Sequence, residues 1–214
     1  MLKLAKNKKG IFMIKNIVFD FGQVMISFDP THMTKKYISD SRDIELVASV
    51  VFDRLYWNPL DSGDISDEEV VRLSKERLPQ RLHKAVEKVY YNWIYNIPEI
   101  EGMRELVLYI KEKYRIPVYL LSNISEYFAK NSDRIPIVSL FDGCIFSAEH
   151  KLVKPSRQIF ALLCEKFNLA PEETLFIDDS PINIAGAESA GLCGYLFDGN
   201  VAKLKEYIDE NLFK

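Results

Sequence analysis

Apolar residues along the chain follow two different periodicities. The segment "IKNIVFDFG" (residues 14–22) is short and apolar up to a single carboxylate, which is typical of a buried strand. Residues 31–96 contain no convincing strand. Within them "ELVASVVFDRLY" and "DEEVVRLSKERL" place apolar residues at helical spacing, and the acidic residues 67–69 fall in a first turn, where negative charge is favoured. This block is therefore predicted to be helical.

From residue 98 onward the pattern predicts helices and strands in alternation. The predicted helices are "IEGMRELVLYIKEKY", "PSRQIFALLCEKFNL", "PINIAGAESAG" and "VAKLKEYIDENLF", and the predicted strands are "IPVYLLS", "CIFSA", "ETLFIDD" and "LCGYLFD". Strands this apolar, separated by helices, are typical of a parallel sheet covered on both faces. We therefore expect an α/β, Rossmann-like core formed by residues 1–28 and 98–214, with residues 29–97 inserted after the first strand as a small all-α unit.

Composition excludes several function classes. The 214 residues are 48% hydrophobic, enough for one full core, and the formal charge of −3 comes without a basic cluster, so nucleic acid is not expected as a partner. Three widely spaced cysteines argue against a disulfide framework and a zinc site. Neither a signal peptide nor a membrane span is recognisable, and we expect a cytoplasmic protein with residues 3–10 as a solvated tail.

Polar side chains end four of the predicted strands. They are Asp20, the pair Ser122 and Asn123, Lys154 after "CIFSA", and the pair Asp178 and Asp179. Ligands of open parallel sheets collect at the carboxyl ends of the strands, so we expect these side chains to lie together. Three carboxylates and one lysine sum to −2, which would raise a carboxylate pKa unless a divalent cation is bound. Mg²⁺ suits oxygen ligands and a phosphate, and Asp20 would then be a nucleophile that forms an aspartyl-phosphate.

Four segments in this order resemble the motifs of the haloacid dehalogenase-like hydrolase superfamily: "IVFDFGQVMI", "VYLLSN", "KLVKP" and "LFIDDSPINIAGAESAG". The insertion resembles the helical cap of its first subclass, and "DSGDISDEEV" is similar to a segment in caps of relatives that include a bacterial α-glucose-1-phosphatase. The resemblance implies nucleophile and metal-ligand roles for Asp20 and a metal ligand from the carbonyl of Gly22. It further implies phosphate binding by Ser122 and Asn123, charge neutralisation by Lys154, Mg²⁺ binding by Asp178 and Asp179, and support of the metal by Asn183.

Gly22 departs from the superfamily pattern. Phosphatases of this superfamily usually carry a second aspartate there, which acts as general acid and then as base, a contribution of about 10²–10⁴-fold in rate. The glucose-1-phosphatase relative shares this glycine, and an anomeric hydroxyl is a better leaving group than a simple alcohol. If another group supplies the proton, the cap loop around Asp61 and Asp64 is the first place to look.

Several residues keep a purely structural alternative. Ser122 and Asn123 could only cap the helix that begins near Ser125, and aromatic residues of the insertion more often pack a core, although Tyr56 and Trp57 lie near the "DSGDIS" loop and could contact substrate.

The sequence thus predicts a Mg²⁺-dependent phosphomonoester hydrolase that acts on a small phosphometabolite of the sugar phosphate class. The protein is expected to be a monomer or a homodimer. Two alternatives stay open. One is a 2-haloacid dehalogenase, which the Asp178–Asp179 pair disfavours because its site holds no metal. The other is a non-catalytic phosphometabolite-binding protein, which Gly22 favours.

Overall fold

A five-stranded parallel sheet organises the protein. The computed structural model describes residues 13–211, and the predicted tail at residues 3–10 lies outside them. The strands are β1 (Asn16–Phe19), β2 (Val118–Ser122), β3 (Gly143–Phe146), β4 (Thr174–Asp178) and β5 (Cys193–Leu196), in the spatial order β3-β2-β1-β4-β5. Phe19 of β1 pairs with Leu120 on one side and with Ile177 on the other. The central position of β1 confirms that the first strand joins the sheet of the later strands.

Helices cover both faces of this sheet, as the apolar strands predicted. Helices α6 (Met103–Tyr114) and α11 (Val201–Asn211) pack on the face that carries Ile17 and Phe19. Helices α9 (Arg157–Phe167) and α10 (Pro181–Ser189) pack on the opposite face, which carries Val18. Two short helices, α7 (Glu126–Asn131) and α8 (Ser147–His150), follow β2 and β3. The α/β fold with a helical insertion is therefore confirmed.

The insertion consists of five α-helices: α1 (Pro30–Lys35), α2 (Ser41–Val51), α3 (Arg54–Asp61), α4 (Asp67–Glu76) and α5 (His83–Asn92). The segment "ELVASVVFDRLY" does not form one helix. Its chain turns at Asp53, whose carboxylate accepts a hydrogen bond from the Leu55 N–H at 3.0 Å and so caps the start of α3. The helix that starts at this cap ends at Asp61, whose carbonyl is bound by Ser147 of the α/β core.

Two connecting segments join the insertion to the core and run side by side. The Ser27 N–H donates to the Pro98 carbonyl at 2.8 Å, and the Ile100 N–H donates to the Met25 carbonyl at 3.0 Å. Ile26 and Glu99 form an antiparallel bridge between them. The two connecting segments thus lie side by side, close to the boundaries expected after residues 28 and 97. The boundaries themselves stay a prediction.

An aromatic cluster fills the space between the insertion and this junction. Phe28, Phe52, Trp57 and Trp93 contact one another at ring-centroid distances of 5.3–6.4 Å. Trp57 also donates its indole N–H to the Val51 carbonyl at 2.8 Å. Aromatic pairs of this kind stabilise a core beyond the area they bury.

None of the helices between residues 13 and 211 has both the length and the apolar character needed to cross a lipid bilayer.

Candidate active site

Three neighbouring strands deliver the polar residues of the candidate site. Asp20 directly follows β1, Ser122 is the last residue of β2, and Asp178 is the last residue of β4. Because β1 lies between β2 and β4, the three side chains project from adjacent positions at one edge of the sheet. The Asp20 N–H continues the ladder by donating to the Ile177 carbonyl at 2.9 Å, which fixes the carboxylate relative to β4.

A cluster of three carboxylates lies at this edge. Asp20, Asp178 and Asp179 each offer a ligand oxygen, and these oxygens lie within 4.8 Å of one another. Asp20 and Asp178 are buried, whereas Asp179 is exposed. This all-oxygen donor set fits a hard divalent cation such as Mg²⁺, with room left for water and phosphate oxygens on the exposed side. The carbonyl of Gly22, two residues after Asp20, remains the predicted fourth protein ligand.

The charges of this cluster are not balanced by the protein alone. Burial raises the pKa of Asp20 to about 7, with Asp178 adding to the effect and Lys154 opposing it. Burial and the neighbouring Asp178 charge also raise the pKa of Asp179. A bound divalent cation would remove this cost by favouring the ionised carboxylates. The excess negative charge expected from the sequence is therefore present in the folded protein.

Lys154 lies at the centre of the site. Its Nζ is 2.5 Å from Asp20 Oδ1 and 2.8 Å from Asp178 Oδ2, and its side chain is 1% exposed. Burial works to lower the pKa of Lys154, but the two carboxylates outweigh it and raise that pKa above its ordinary value. The Asn123 side chain orients this lysine, because its Oδ1 accepts the Lys154 N–H at 2.8 Å and its Nδ2 donates to the Lys154 carbonyl at 3.0 Å. Phosphate binding by Asn123 itself stays a prediction.

Asp178 is held by partners other than the lysine. The Ser180 N–H donates to its Oδ1 at 2.8 Å, and Asn183 Nδ2 lies 3.1 Å from each carboxylate oxygen. Asn183 belongs to α10, whose first residue is Pro181, so the turn from β4 into α10 sets both contacts. Asn183 therefore contacts and orients the Asp178 carboxylate, and its support of a bound metal stays a prediction.

Ser122 offers an unbonded hydroxyl to the site, and Gly22 has open space beside its Cα. Ser122 is 2% exposed, and its hydroxyl makes no hydrogen bond to any residue among 13–211, so it can donate to a bound oxyanion. A Cβ added at Gly22 would find no atom within 4 Å, and Gly22 is not among the glycines with positive φ. Neither crowding nor backbone geometry requires glycine at position 22.

The loop after α3 touches the core beside these strand ends. The Ser147 hydroxyl donates to the Asp61 carbonyl at 2.6 Å and accepts the Ile124 N–H at 2.8 Å. At Gly63, whose φ is +72°, an added Cβ would lie 2.7 Å from the Ala148 carbonyl oxygen. The sequence interpretation missed Ser147, although it follows a strand end in "CIFSA" as the predicted site residues follow theirs.

The other residues of the insertion that were considered for the site separate into two groups. Asp61 is buried beside the core, whereas Asp64 is exposed and accepts a hydrogen bond from the Ser62 hydroxyl at 2.5 Å. Tyr56 and Trp57 are both only 6% exposed and pack in the hydrophobic core, which supports their structural interpretation over substrate contact.

Comparisons with known proteins agree with this geometry. Residues 14–191 match the family model of haloacid dehalogenase-like hydrolases. A D-ribitol-5-phosphate phosphatase of Bacteroides thetaiotaomicron is 27% identical over 187 residues, which cover 80% of this chain and 86% of that protein. A phosphorylated carbohydrates phosphatase of Thermotoga maritima is 28% identical over 123 residues, covering 57% of this chain and 55% of that protein. The structure of a Bacteroides thetaiotaomicron HAD family enzyme in complex with magnesium and inorganic phosphate matches with a TM-score of 0.68 and 25% identity, over 89% of this chain and 98% of that chain.

Proposed function

The chain belongs to the haloacid dehalogenase-like hydrolase family, and we propose that it is a Mg²⁺-dependent phosphatase that hydrolyses a small phosphorylated carbohydrate through an aspartyl-phosphate on Asp20. The observation that carries this proposal is the cluster of three carboxylates at the carboxyl edge of the sheet, two of which contact a buried lysine. A metal-free dehalogenase would have no use for the Asp178–Asp179 pair, so this cluster favours the phosphatase.

In the first step, a carboxylate oxygen of Asp20 attacks phosphorus and the bond from phosphorus to the leaving oxygen breaks. Lys154 and the free hydroxyl of Ser122 hold the phosphoryl oxygens, and Asn123 fixes the lysine through its backbone. Asp20, Asp178 and Asp179 would hold Mg²⁺, and the bound ion would supply positive charge to the same oxygens. In the second step, water attacks phosphorus, the bond to Asp20 breaks, and inorganic phosphate leaves.

The substrate class rests on the relatives. The two relatives named above are phosphatases of phosphorylated carbohydrates or polyols by name, and one of them aligns with most of this chain. We therefore infer a sugar phosphate or polyol phosphate for this protein. The similarity of "DSGDIS" to caps of α-glucose-1-phosphatases makes an anomeric phosphate one member of the substrate panel, beside D-ribitol 5-phosphate.

The test is phosphate release from a panel of phosphomonoesters, with Mg²⁺ or with excess chelator. We expect Mg²⁺-dependent turnover and a loss of about 10³-fold or more in Asp20→Asn, which keeps the shape of the side chain but removes the nucleophile. Asp133→Asn is the matched control, because Asp133 is exposed in a turn after α7. Unchanged turnover in Asp20→Asn or in chelator, or no hydrolysis of any ester by the folded wild type, would overturn the proposal.

A further inference from the structure

The proposed reaction needs a proton donor that the loop after β1 does not provide. When the bond to phosphorus breaks, an alkoxide leaving group must gain a proton, and Gly22 has no side chain to give one. The attacking and leaving oxygens lie roughly in line on opposite sides of phosphorus. Because Asp20 attacks from the end of β1, the leaving oxygen points away from the sheet, towards the helical insertion.

Asp61 is the carboxyl that the insertion places at this edge. Its main-chain carbonyl is bound by the Ser147 hydroxyl, which also binds the N–H of Ile124, two residues beyond Ser122. The close approach of Gly63 to Ala148 fixes the same loop against the start of α8. The backbone of Asp61 is therefore anchored to the ends of β2 and β3, beside the phosphate-binding side of the proposed site.

Residues 13–211 provide no hydrogen bond to the buried Oδ1 of the Asp61 side chain. Asp61 is 8% exposed, and its Oδ1 is the only carboxylate oxygen within residues 13–211 that is fully buried without a hydrogen bond. An unsatisfied buried carboxylate costs more than a buried carboxylic acid, so the protonated form is favoured. Burial accordingly raises the pKa of Asp61 to about 7, while Lys154 lowers it and Asp20 raises it, which places the side chain within electrostatic reach of both.

Other charged groups around Asp61 do not satisfy it. Arg54, on the same helix, favours the ionised form and Asp67, on α4, disfavours it, but neither forms an ion pair with Asp61 in the described chain. The Tyr90 hydroxyl, which also lies within electrostatic reach of Asp61, donates instead to Asp67 at 2.8 Å. Asp61 is thus partly protonated near neutral pH, and no residue of the described chain forms an ion pair with it.

We propose that Asp61 is the general acid and base of this enzyme, replacing the side chain that Gly22 lacks; this inference rests on the proposed phosphatase function. In the first step the Asp61 carboxyl proton passes to the leaving oxygen, which departs as the alcohol, and Asp61 becomes a carboxylate. In the second step the attacking water gives its proton to that carboxylate as its oxygen bonds to phosphorus. Each turnover therefore restores both Asp20 and the protonated Asp61.

The test uses leaving groups that differ in their need for a proton. For the full chain with Mg²⁺, kcat/KM covers the steps up to alcohol release and so reports on the first proton transfer. With D-ribitol 5-phosphate, a primary alkyl ester, we expect Asp61→Asn to lower kcat/KM by about 10²–10⁴-fold. With p-nitrophenyl phosphate, whose phenolate leaves without a proton, we expect a loss of less than about tenfold in kcat/KM.

Two further variants separate proton transfer from a structural role. Asp64→Asn, on the exposed side of the same loop, is expected to leave both esters unaffected. Adding Gly22→Asp to Asp61→Asn introduces a carboxyl into open space and is expected to restore alkyl-ester hydrolysis. Equal losses on both esters, or full alkyl-ester hydrolysis by Asp61→Asn, would overturn the role of Asp61. Activity in the Asp20→Asn variant would instead overturn the phosphatase mechanism itself.

Discussion

The stability of the Asp61→Asn variant relative to the wild type is expected to increase as the pH rises from acidic to slightly alkaline values. The folded protein favours the protonated carboxyl, because burial raises the pKa of Asp61 from 3.8 to about 7. The unfolded chain ionises near the ordinary value, so it releases a proton that the folded chain retains as pH rises. The wild type therefore loses stability between these two pKa values, at up to about 1.4 kcal/mol per pH unit.

The expected magnitude follows from this window. From about pH 5 to about pH 7 the wild type loses up to about 3 kcal/mol through Asp61, and little more is lost above that. Asparagine does not titrate, so its own packing and hydrogen-bonding cost is the same at every pH. The difference in unfolding free energy between Asp61→Asn and wild type should therefore grow by about 2–3 kcal/mol from about pH 5 to about pH 8. Repulsion between Asp20 and Asp61 makes the larger figure a ceiling, because losing one charge eases ionisation of the other.

Urea unfolding followed by circular dichroism measures the unfolding free energy of the variant and of the wild type at each pH. Chelator is present, so that metal binding does not contribute to the difference. Asp64→Asn is the control, since it makes the same substitution on the exposed side of the same loop. A difference between Asp61→Asn and wild type that stays constant within about 0.5 kcal/mol across this range would refute the reasoning, because the buried carboxyl would then titrate as in the unfolded chain.

Three further outcomes are expected. Gly63→Ala should lower both stability and kcat/KM, because its Cβ would lie 2.7 Å from the Ala148 carbonyl at a φ of +72°; unchanged thermal melting and kinetics would contradict this. Asn183→Ala should raise the Mg²⁺ concentration for half-maximal activity about 10–100-fold, because Asp178 loses an orienting contact, and an unchanged Mg²⁺ titration would count against it. Inorganic phosphate should raise the melting temperature only when Mg²⁺ is present, since both share one site; a shift in chelator would indicate phosphate binding elsewhere.

The sequence predicted the sheet and its polar edge because both depend on local patterns. Apolar runs such as "VYLLS" and "TLFID" form strands wherever helices can cover them, and the polar residue after each run then falls at the carboxyl edge. Asp20, Ser122 and Asp178 could thus be brought together without coordinates. Their grouping follows from the parallel order of the strands, which alternating helices impose.

Contacts between segments that are distant in the sequence could not be predicted from local patterns. The bond from Ser147 to the Asp61 carbonyl joins residues 86 apart in sequence, and the pairing of Asn123 with Lys154 joins residues 31 apart. The polar string "DSGDIS" has the composition of a solvent-exposed loop, so composition does not distinguish buried Asp61 from exposed Asp64. That distinction arises only when the loop packs on the core through Gly63.

Another buried carboxylate of the insertion, Asp67, shows what a structural role requires. Asp67 accepts the Tyr90 hydroxyl at 2.8 Å and the Tyr127 N–H at 3.1 Å, so its burial ties α4 to α5 and to α7 of the core. Asp61, on the same insertion, is equally buried but its side chain has no such bonds among the described residues. A carboxylate kept in this state lowers stability as the pH rises towards neutral, and its side chain makes no hydrogen bond in return. Such local costs are expected mainly at functional positions. The same missing partners leave the Asp61 proton free to move to a leaving group, which is why Asp61, and not Asp67, fits the acid that position 22 lacks.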